Sequence, residues 1–451
     1  MPDNFPQILI QTLKPALIAG ATQKLPVLLR VQAPDPIPTE EKGRKPCHLA
    51  LVIDRSGSMA GPPLAEALRC AKHIADQLQA TDSALLVIFD DRVQTLVPAR
   101  PVGDRKALHL ALSQVHSGGS TNLIGGWQAG ADRLLPEAGQ AALARLILLS
   151  DGHANVGELT DTAAIAARCA QAAERGVTTS SYGLGRHFNE ELLVEMAKRG
   201  GGNHYYGDTA ADLFEPFAEE FDFISALCAR RVRLSLAAAP GVTIRLLNDY
   251  PVDGDAGMPV IRLPDIAFGA EAWALVELQV PAGLAIDGVG QLLQAAVTAS
   301  TPEGEPLAFA DATLTLPAMP VAAWETLLAD PLVVARQAEL AASTLLELAR
   351  AAAEHGDWNT VQRLLAEARQ RFAEQPWLIE VRQSMAELAR SMDTARFRKE
   401  ALYSSRKMSS RISPKEEALD SLMMEAGAPS FLRRKAAQGK AQFDKPEDAP
   451  K

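Results

Sequence analysis

The stretch "HLALVIDRSGSMAGPPLAEAL", residues 48–68, runs from an apolar segment through a loop of oxygen side chains into a helical pattern. "HLALVI" is a continuous apolar run of the kind that a strand buried on both faces requires. After the loop, Leu64, Leu68, Ala71, Ile74 and Leu78 recur near helical spacing. Between the two, Asp54, Ser56 and Ser58 hold alternate positions, and Gly57 eases a tight turn that aims all three side chains at one point. Two readings stand for this loop. Three hard oxygen donors make a metal site, or a serine makes an ordinary N-cap for the following helix. The prolines at 62 and 63 mark the start of that helix in either case.

Outward from the loop the alternation continues. "ALLVIF" (84–89), "LILLS" (146–150), "VTTSSYGLG" and "NHYY" read as further strands, with helices expected near 104–115, 123–134, 161–175 and 189–199. This βαβα order predicts an α/β fold with a doubly wound parallel sheet, and such sheets bind ligands at the carboxyl ends of their strands. Two other loops reach that edge. "SGGSTN" offers Thr121, and "LILLSDGHAN" offers Asp151.

The texture on either side differs. Residues 230–316 hold short alternating runs separated by "AAPG", "DGDAG" and "PAG", the pattern of an antiparallel sandwich. "QILIQTLK" and "LPVLLRVQA" near the N-terminus share it, so the α/β block is expected to be inserted between strands of one β-sandwich. From 321 the pattern is helical, with three to four helices, and "EHGDWNTVQRLLAEARQRF" resembles one tetratricopeptide-type helical pair. The expected division is 1–46 (N-terminal sandwich strands), 47–224 (α/β domain), 225–320 (sandwich), 321–395 (helical) and 396–451 (a flexible basic tail). That tail carries 13 Lys and Arg against 8 Asp and Glu, a net charge of +5. In it, Leu419, Leu422, Met423 and Phe431 offer short apolar runs for docking.

Composition narrows the function. A net charge of -10 over 451 residues argues against general nucleic-acid binding. No segment has the roughly 18 apolar residues of a membrane span. The N-terminus lacks a basic and apolar leader, so a cytoplasmic location with reduced thiols is expected for Cys47, Cys70, Cys169 and Cys228. No histidine pair has zinc spacing, no G-x-x-x-x-G-K-[ST] occurs, and no G-x-S-x-G elbow is present. An enzyme is therefore not expected. Asp90 and Asp91 read as a solvated turn, and His153 as a rim residue rather than a base.

Asp54, Ser56, Ser58, Thr121 and Asp151 supply two carboxylates and three hydroxyls, a set that suits Mg²⁺, with Mn²⁺ or Ca²⁺ as alternatives. With "LALVIDRSGSM", "GGSTNLIGGW" and "LILLSDGHANVG", residues 46–224 resemble the von Willebrand factor A domain family and its metal-ion-dependent adhesion site, D-x-S-x-S…T…D. The segment "GGGNHYYGDTAADLFEPFAEEF" resembles the end of this domain in bacterial members of the inter-alpha-trypsin inhibitor heavy chain and calcium-activated chloride channel regulator type. The resemblance implies that Ser56, Ser58 and Thr121 ligate the ion directly and that Asp54 and Asp151 act mainly through water. It implies a binding module in which a partner's Glu or Asp completes the ion's coordination, working in a cytoplasmic bacterial assembly. MoxR-type AAA+ ATPases, signalling kinases and phosphatases are the partners it suggests. The alternative expectation is a subunit of an AAA+-linked metal-insertion or hydrolase complex.

Overall fold

The computed structural model describes residues 5–35, 46–136, 143–184, 188–255, 257–285, 290–372, 376–410 and 412–415. These fall into two compact units. Residues 46–225 form one, and residues 5–35, 226–301 and 305–415 form the other.

The first unit is built on a six-stranded sheet. Its strands lie in the order Val93–Pro101, Ser83–Phe89, Cys47–Asp54, Leu143–Ser150, Val177–Leu184, Gly201–Gly207. Every pairing is parallel except the first, where Val93–Pro101 runs antiparallel to Ser83–Phe89. The expected doubly wound parallel sheet is therefore a mixed sheet with one antiparallel edge. The sequence hid this strand because "VQTLVPARP" is largely solvent-facing and carries two prolines, which only an edge tolerates. The central strands Cys47–Asp54 and Leu143–Ser150 are buried almost throughout, as their unbroken apolar runs require. Chain order reverses between these two. From Asp54 the chain moves outward to one side, and it returns to fill the other side from Leu143. Ligands of doubly wound sheets bind at such a switch point. Helices Pro62–Gln77, Lys106–Ser113, Leu123–Leu134, Thr162–Glu174, Glu190–Arg199 and Ala211–Ser225 connect the strands.

The second unit is formed from chain on both sides of the first. Gln23–Gln32 pairs residue for residue with Ala270–Val280, and Gln7–Thr12 pairs with Gln23–Gln32, both antiparallel. Leu227–Ala238, Gly290–Ser300 and shorter strands make a second antiparallel sheet. The α/β fold is thus inserted between β-strands that pair with one another, and a helical region follows. Leu28, Trp273 and Leu275 pack against Val333 and Leu340 of helix Pro331–Glu354, so the helices join the sheet through a shared apolar core.

One expected boundary fails. The basic segment from 396 begins inside helix Thr394–Ser410, and Phe397, Ala401 and Met408 lie in the core made by helices Pro331–Glu354, Trp358–Arg371 and Pro376–Ser391. Ser413–Pro414 then pairs with the start of Ala270–Val280. The positive charges of "RFRKEALYSSRKMSSR" mask an apolar stripe spaced at 397, 401 and 408. Arg398 meets Glu354 at 3.4 Å, and Arg406 meets Asp249. The segment is an integral helix up to Ser410, not a flexible tail. Leu419, Leu422, Met423 and Phe431 lie outside the described residues.

Candidate metal centre

Asp54 closes the strand Cys47–Asp54 and is fully buried. Its Oδ1 accepts the Ser56 N–H at 2.9 Å, and its Oδ2 accepts the Ser150 hydroxyl at 2.7 Å. The first bond makes the turn that the i, i+2 spacing predicts. A 3₁₀ turn, Gly57–Met59, follows, and Ser56 makes no side-chain capping bond to it. Helix Pro62–Gln77 starts after Gly61, again with no side-chain cap. Neither serine caps a helix, so the cap reading of the loop fails. Instead the Ser56 and Ser58 hydroxyl oxygens face one another at 3.2 Å. Ser56 is buried and Ser58 is exposed, so the pair spans the rim.

The loop before helix Leu123–Leu134 docks directly on this turn. Gly57 N–H donates to Gly119 O at 2.7 Å, and Gly118 N–H donates to Arg55 O at 2.7 Å. Thr121 is buried, and its carbonyl accepts the N–H groups of Asn155 and Val156, each at 3.1 Å. Asn122 caps the helix by accepting Gly125 N–H at 3.0 Å.

The third loop leaves the strand Leu143–Ser150. Ser150 donates to Asp54 and accepts Gly152 N–H at 2.8 Å, so one hydroxyl joins the first and third loops. Asp151 is buried. Its Oδ1 accepts His153 N–H at 3.2 Å, and its carbonyl accepts Asn189 N–H at 2.8 Å. Gly152 adopts a left-handed φ of 69°, and a Cβ there would lie 2.9 Å from Asn189 O. His153 is exposed.

Burial pushes the Asp54 carboxyl up to about 6, opposed by its hydrogen bonds to Ser56 and Ser150 and reinforced by the charge of Asp151. Two carboxylates therefore share a desolvated loop edge with hydroxyls around them. A divalent cation relieves that repulsion, and all-oxygen donors suit a hard ion. Among the described residues no group of three or more His, Cys, Asp or Glu is arranged to hold a metal. A site here draws on hydroxyls as well as carboxylates, which keeps its ligand charge low.

Asp90 is the residue that sequence reasoning placed wrongly. It is buried, not solvated, and its Oδ2 pairs with Arg55 at 2.8 Å. Asp91 beside it is half exposed. The sequence signal was the position of Asp90 directly after a buried strand at the same sheet edge, but the Asp-Asp-Arg run looks like any hairpin turn. Ser150 was also passed over as a strand residue.

Residues 48–219 match the von Willebrand factor type A domain. The chain contains an A domain of this family. Its relatives include an uncharacterized protein of Synechocystis sp., 24% identical over 249 residues covering 52% of this chain and 57% of that protein. Human inter-alpha-trypsin inhibitor heavy chain H3 is 30% identical over 190 residues, covering 39% of this chain and 21% of that one. The chain thus spans little more than half of one relative and about a fifth of the other. A solved structure described as von Willebrand factor type A from Catenulispora acidiphila superposes with a TM-score of 0.64, covering 84% of this chain and 90% of that one at 17% identity. At that identity the likeness speaks for the fold alone. It reaches well beyond the A domain, since the match to the family model ends at residue 219. Among the described residues no helix is long and apolar enough to cross a membrane.

Proposed function

We propose that this chain is a metal-dependent protein-interaction module without catalytic activity of its own. The observation that carries this reading is the serine pair. Ser56 and Ser58 cap no helix, and their hydroxyls face one another at 3.2 Å beside a buried carboxylate. Ser56, Ser58 and Thr121 would hold Mg²⁺ directly, with Asp54 and Asp151 acting through water. With neutral hydroxyls as direct ligands, the ion would keep most of its charge and supply an electrophilic position for an incoming carboxylate. A Glu or Asp of a partner protein is the group that fits. The Ser150 hydroxyl donates to Asp54 from within the buried strand end, and the Ser56 and Ser58 hydroxyls face one another, so we read these hydroxyls as ligands and braces rather than as nucleophiles. We place the chain in a cytoplasmic bacterial assembly. The family resemblance suggests a MoxR-type AAA+ ATPase, a kinase or a phosphatase as its companion.

Titration calorimetry with Mg²⁺ tests the reading. One ion per chain is expected, lost in Asp54→Ala and weakened in Ser56→Ala and Thr121→Val, with far-UV circular dichroism unchanged. No binding by the wild-type protein would refute it. For the partner, capture from native extract should occur in Mg²⁺ and disappear in EDTA. Hydrolysis of nucleotide or phosphoester by the purified chain, lost in Asp54→Ala, would instead favour a hydrolase subunit.

A further inference from the structure

Asp90 belongs to none of the loops that supply the five oxygen donors, yet it joins two of them. It follows strand Ser83–Phe89, and its side chain is 4% exposed. Oδ1 accepts the Arg92 N–H at 2.8 Å, the usual bond of a turn aspartate. Oδ2 is directed elsewhere. It pairs with the Arg55 guanidinium at 2.8 Å and accepts the Gly119 N–H at 3.3 Å. The Asp90 carbonyl accepts Asn122 N–H at 2.8 Å. Arg55 sits between Asp54 and Ser56, while Gly119 and Asn122 flank Thr121. One residue thus holds both sides of the donor set. Glycine is required for the approach, because a Cβ at Gly118 would lie 1.7 Å from Asp90 Oδ2.

A hairpin turn alone needs only Oδ1, and Asp91, with a half-exposed side chain, shows what a solvated turn carboxylate looks like. The contacts of Oδ2 are charge-assisted and directional, the kind that fixes a loop rather than merely solvating a charge. The pairing has an electrostatic effect too. Arg55 is the cation next to Asp54 in sequence, and Asp90 neutralises it, so its charge does not oppose a bound cation.

We propose that Asp90 is a positioning residue of the metal site, resting on the metal-site reading above. Through Arg55 and Gly119 it fixes the separation of the Ser56 and Ser58 hydroxyls from Thr121, and so sets the affinity for the ion. Residues that orient metal ligands in this way are worth about 10- to 100-fold in affinity.

The test uses the full chain and Mn²⁺ as the probe. Binding is followed by electron paramagnetic resonance well below the melting temperature, with the fold checked by circular dichroism. The wild type should bind one Mn²⁺, and Asp54→Ala should bind none. Asp90→Asn should bind about 10- to 100-fold more weakly, with a changed bound-Mn²⁺ line shape. Arg55→Lys, which keeps the charge and a donor, should retain most of the wild-type affinity. If Asp90→Asn fails to fold, Arg55→Met takes its place with the same expected loss, since that side chain is less deeply buried. Wild-type affinity in a folded Asp90→Asn or Arg55→Met overturns the proposal and leaves the metal site standing. No binding by the wild type, or unchanged binding in Asp54→Ala, overturns both.

Discussion

Glu271→Ala should destabilise the β-sandwich and helical unit severely. Glu271 is fully buried in strand Ala270–Val280. Its Oε2 accepts Arg30 Nη2 at 2.6 Å, Arg30 Nε at 3.0 Å and Gln32 Nε2 at 2.9 Å. Arg336 Nη2 lies 3.9 Å from Oε1, with its guanidinium 4.5 Å from the Trp273 ring centroid. Arg336 also has Glu339 at 2.8 Å, so the charge most exposed to the loss is that of Arg30. Removing one partner of a buried pair costs about 3–5 kcal/mol. Against a net domain stability of about 5–15 kcal/mol, that is about a fifth or more of the total. At about 2–4 °C per kcal/mol for a unit of this size, the melting temperature should fall by roughly 6–20 °C. Scanning calorimetry on the full chain reads this. As a control, Asp253→Ala breaks the partly exposed pairs with Arg262 and Arg233 and should cost only about 1 kcal/mol. The double variant Arg30→Met/Glu271→Leu should recover most of the loss, because well-packed apolar residues replace buried ion pairs at little cost. A Glu271→Ala protein melting within 2 °C of the wild type would refute the reasoning.

In EDTA, stability should decline as pH rises from about 4 to 6. The folded carboxyl of Asp54 sits near 6 and its ordinary value is 3.8, so the native state holds the proton more tightly. The contribution is present below about 4 and lost above 6, and is roughly 3 kcal/mol at most. Asp54→Asn should flatten the trend in melting temperature, and a rising trend in the wild type would contradict it. The four cysteines form no disulfide and are buried, and burial pushes the Cys228 thiol up to about 11 and those of Cys70 and Cys169 higher still. A thiol reagent at pH 8 should therefore label fewer than one group per native chain within minutes and all four in denaturant. Truncation after Met392 should expose the apolar face left by Phe397, Ala401 and Met408. Loss of a cooperative transition for the helical region is expected, and an unchanged calorimetric trace would show that helix Thr394–Ser410 is dispensable.

Much of the α/β fold could be read from the chain because its physics is local. Strands such as Cys47–Asp54 and Leu143–Ser150 are buried on both faces and so appear as uninterrupted apolar runs. Asp54, Ser56, Ser58, Thr121 and Asp151 stood out as candidates because they are oxygen side chains at and beside the carboxyl ends of buried strands. What escaped depends on neighbours distant in sequence. Val93–Pro101 is a strand because Ser83–Phe89 offers it a ladder, not because of its own pattern. Asp90 is buried because Arg55 and a glycine loop close over it. Helix Thr394–Ser410 lies under a run of basic side chains, and net charge drew attention to its polar face rather than to Phe397. The balance of Arg30, Glu271 and Arg336 could not be seen at all, since the first two partners are 241 residues apart.

That separation has a consequence during synthesis. Strand Gln23–Gln32 leaves the ribosome long before Ala270–Val280 exists to pair with it. At about 5–20 residues per second, the 241 positions between Arg30 and Glu271 correspond to a wait of roughly 10–50 s. The inserted A domain has all its strands by Gly207 and its last helix by Ser225, so it can collapse while the earlier strand is still waiting. Meanwhile "QKLPVLLRVQ" has Gln7–Thr12 to pair with on one side, and its other edge waits open. Lys24, Pro26 and Arg30 interrupt that edge, and a proline or charge within a waiting strand is what discourages neighbouring nascent chains from adding to it. Arg30 would then serve twice in the life of the molecule: first as a charge that keeps a half-paired strand soluble, and later as the buried partner that locks it in place.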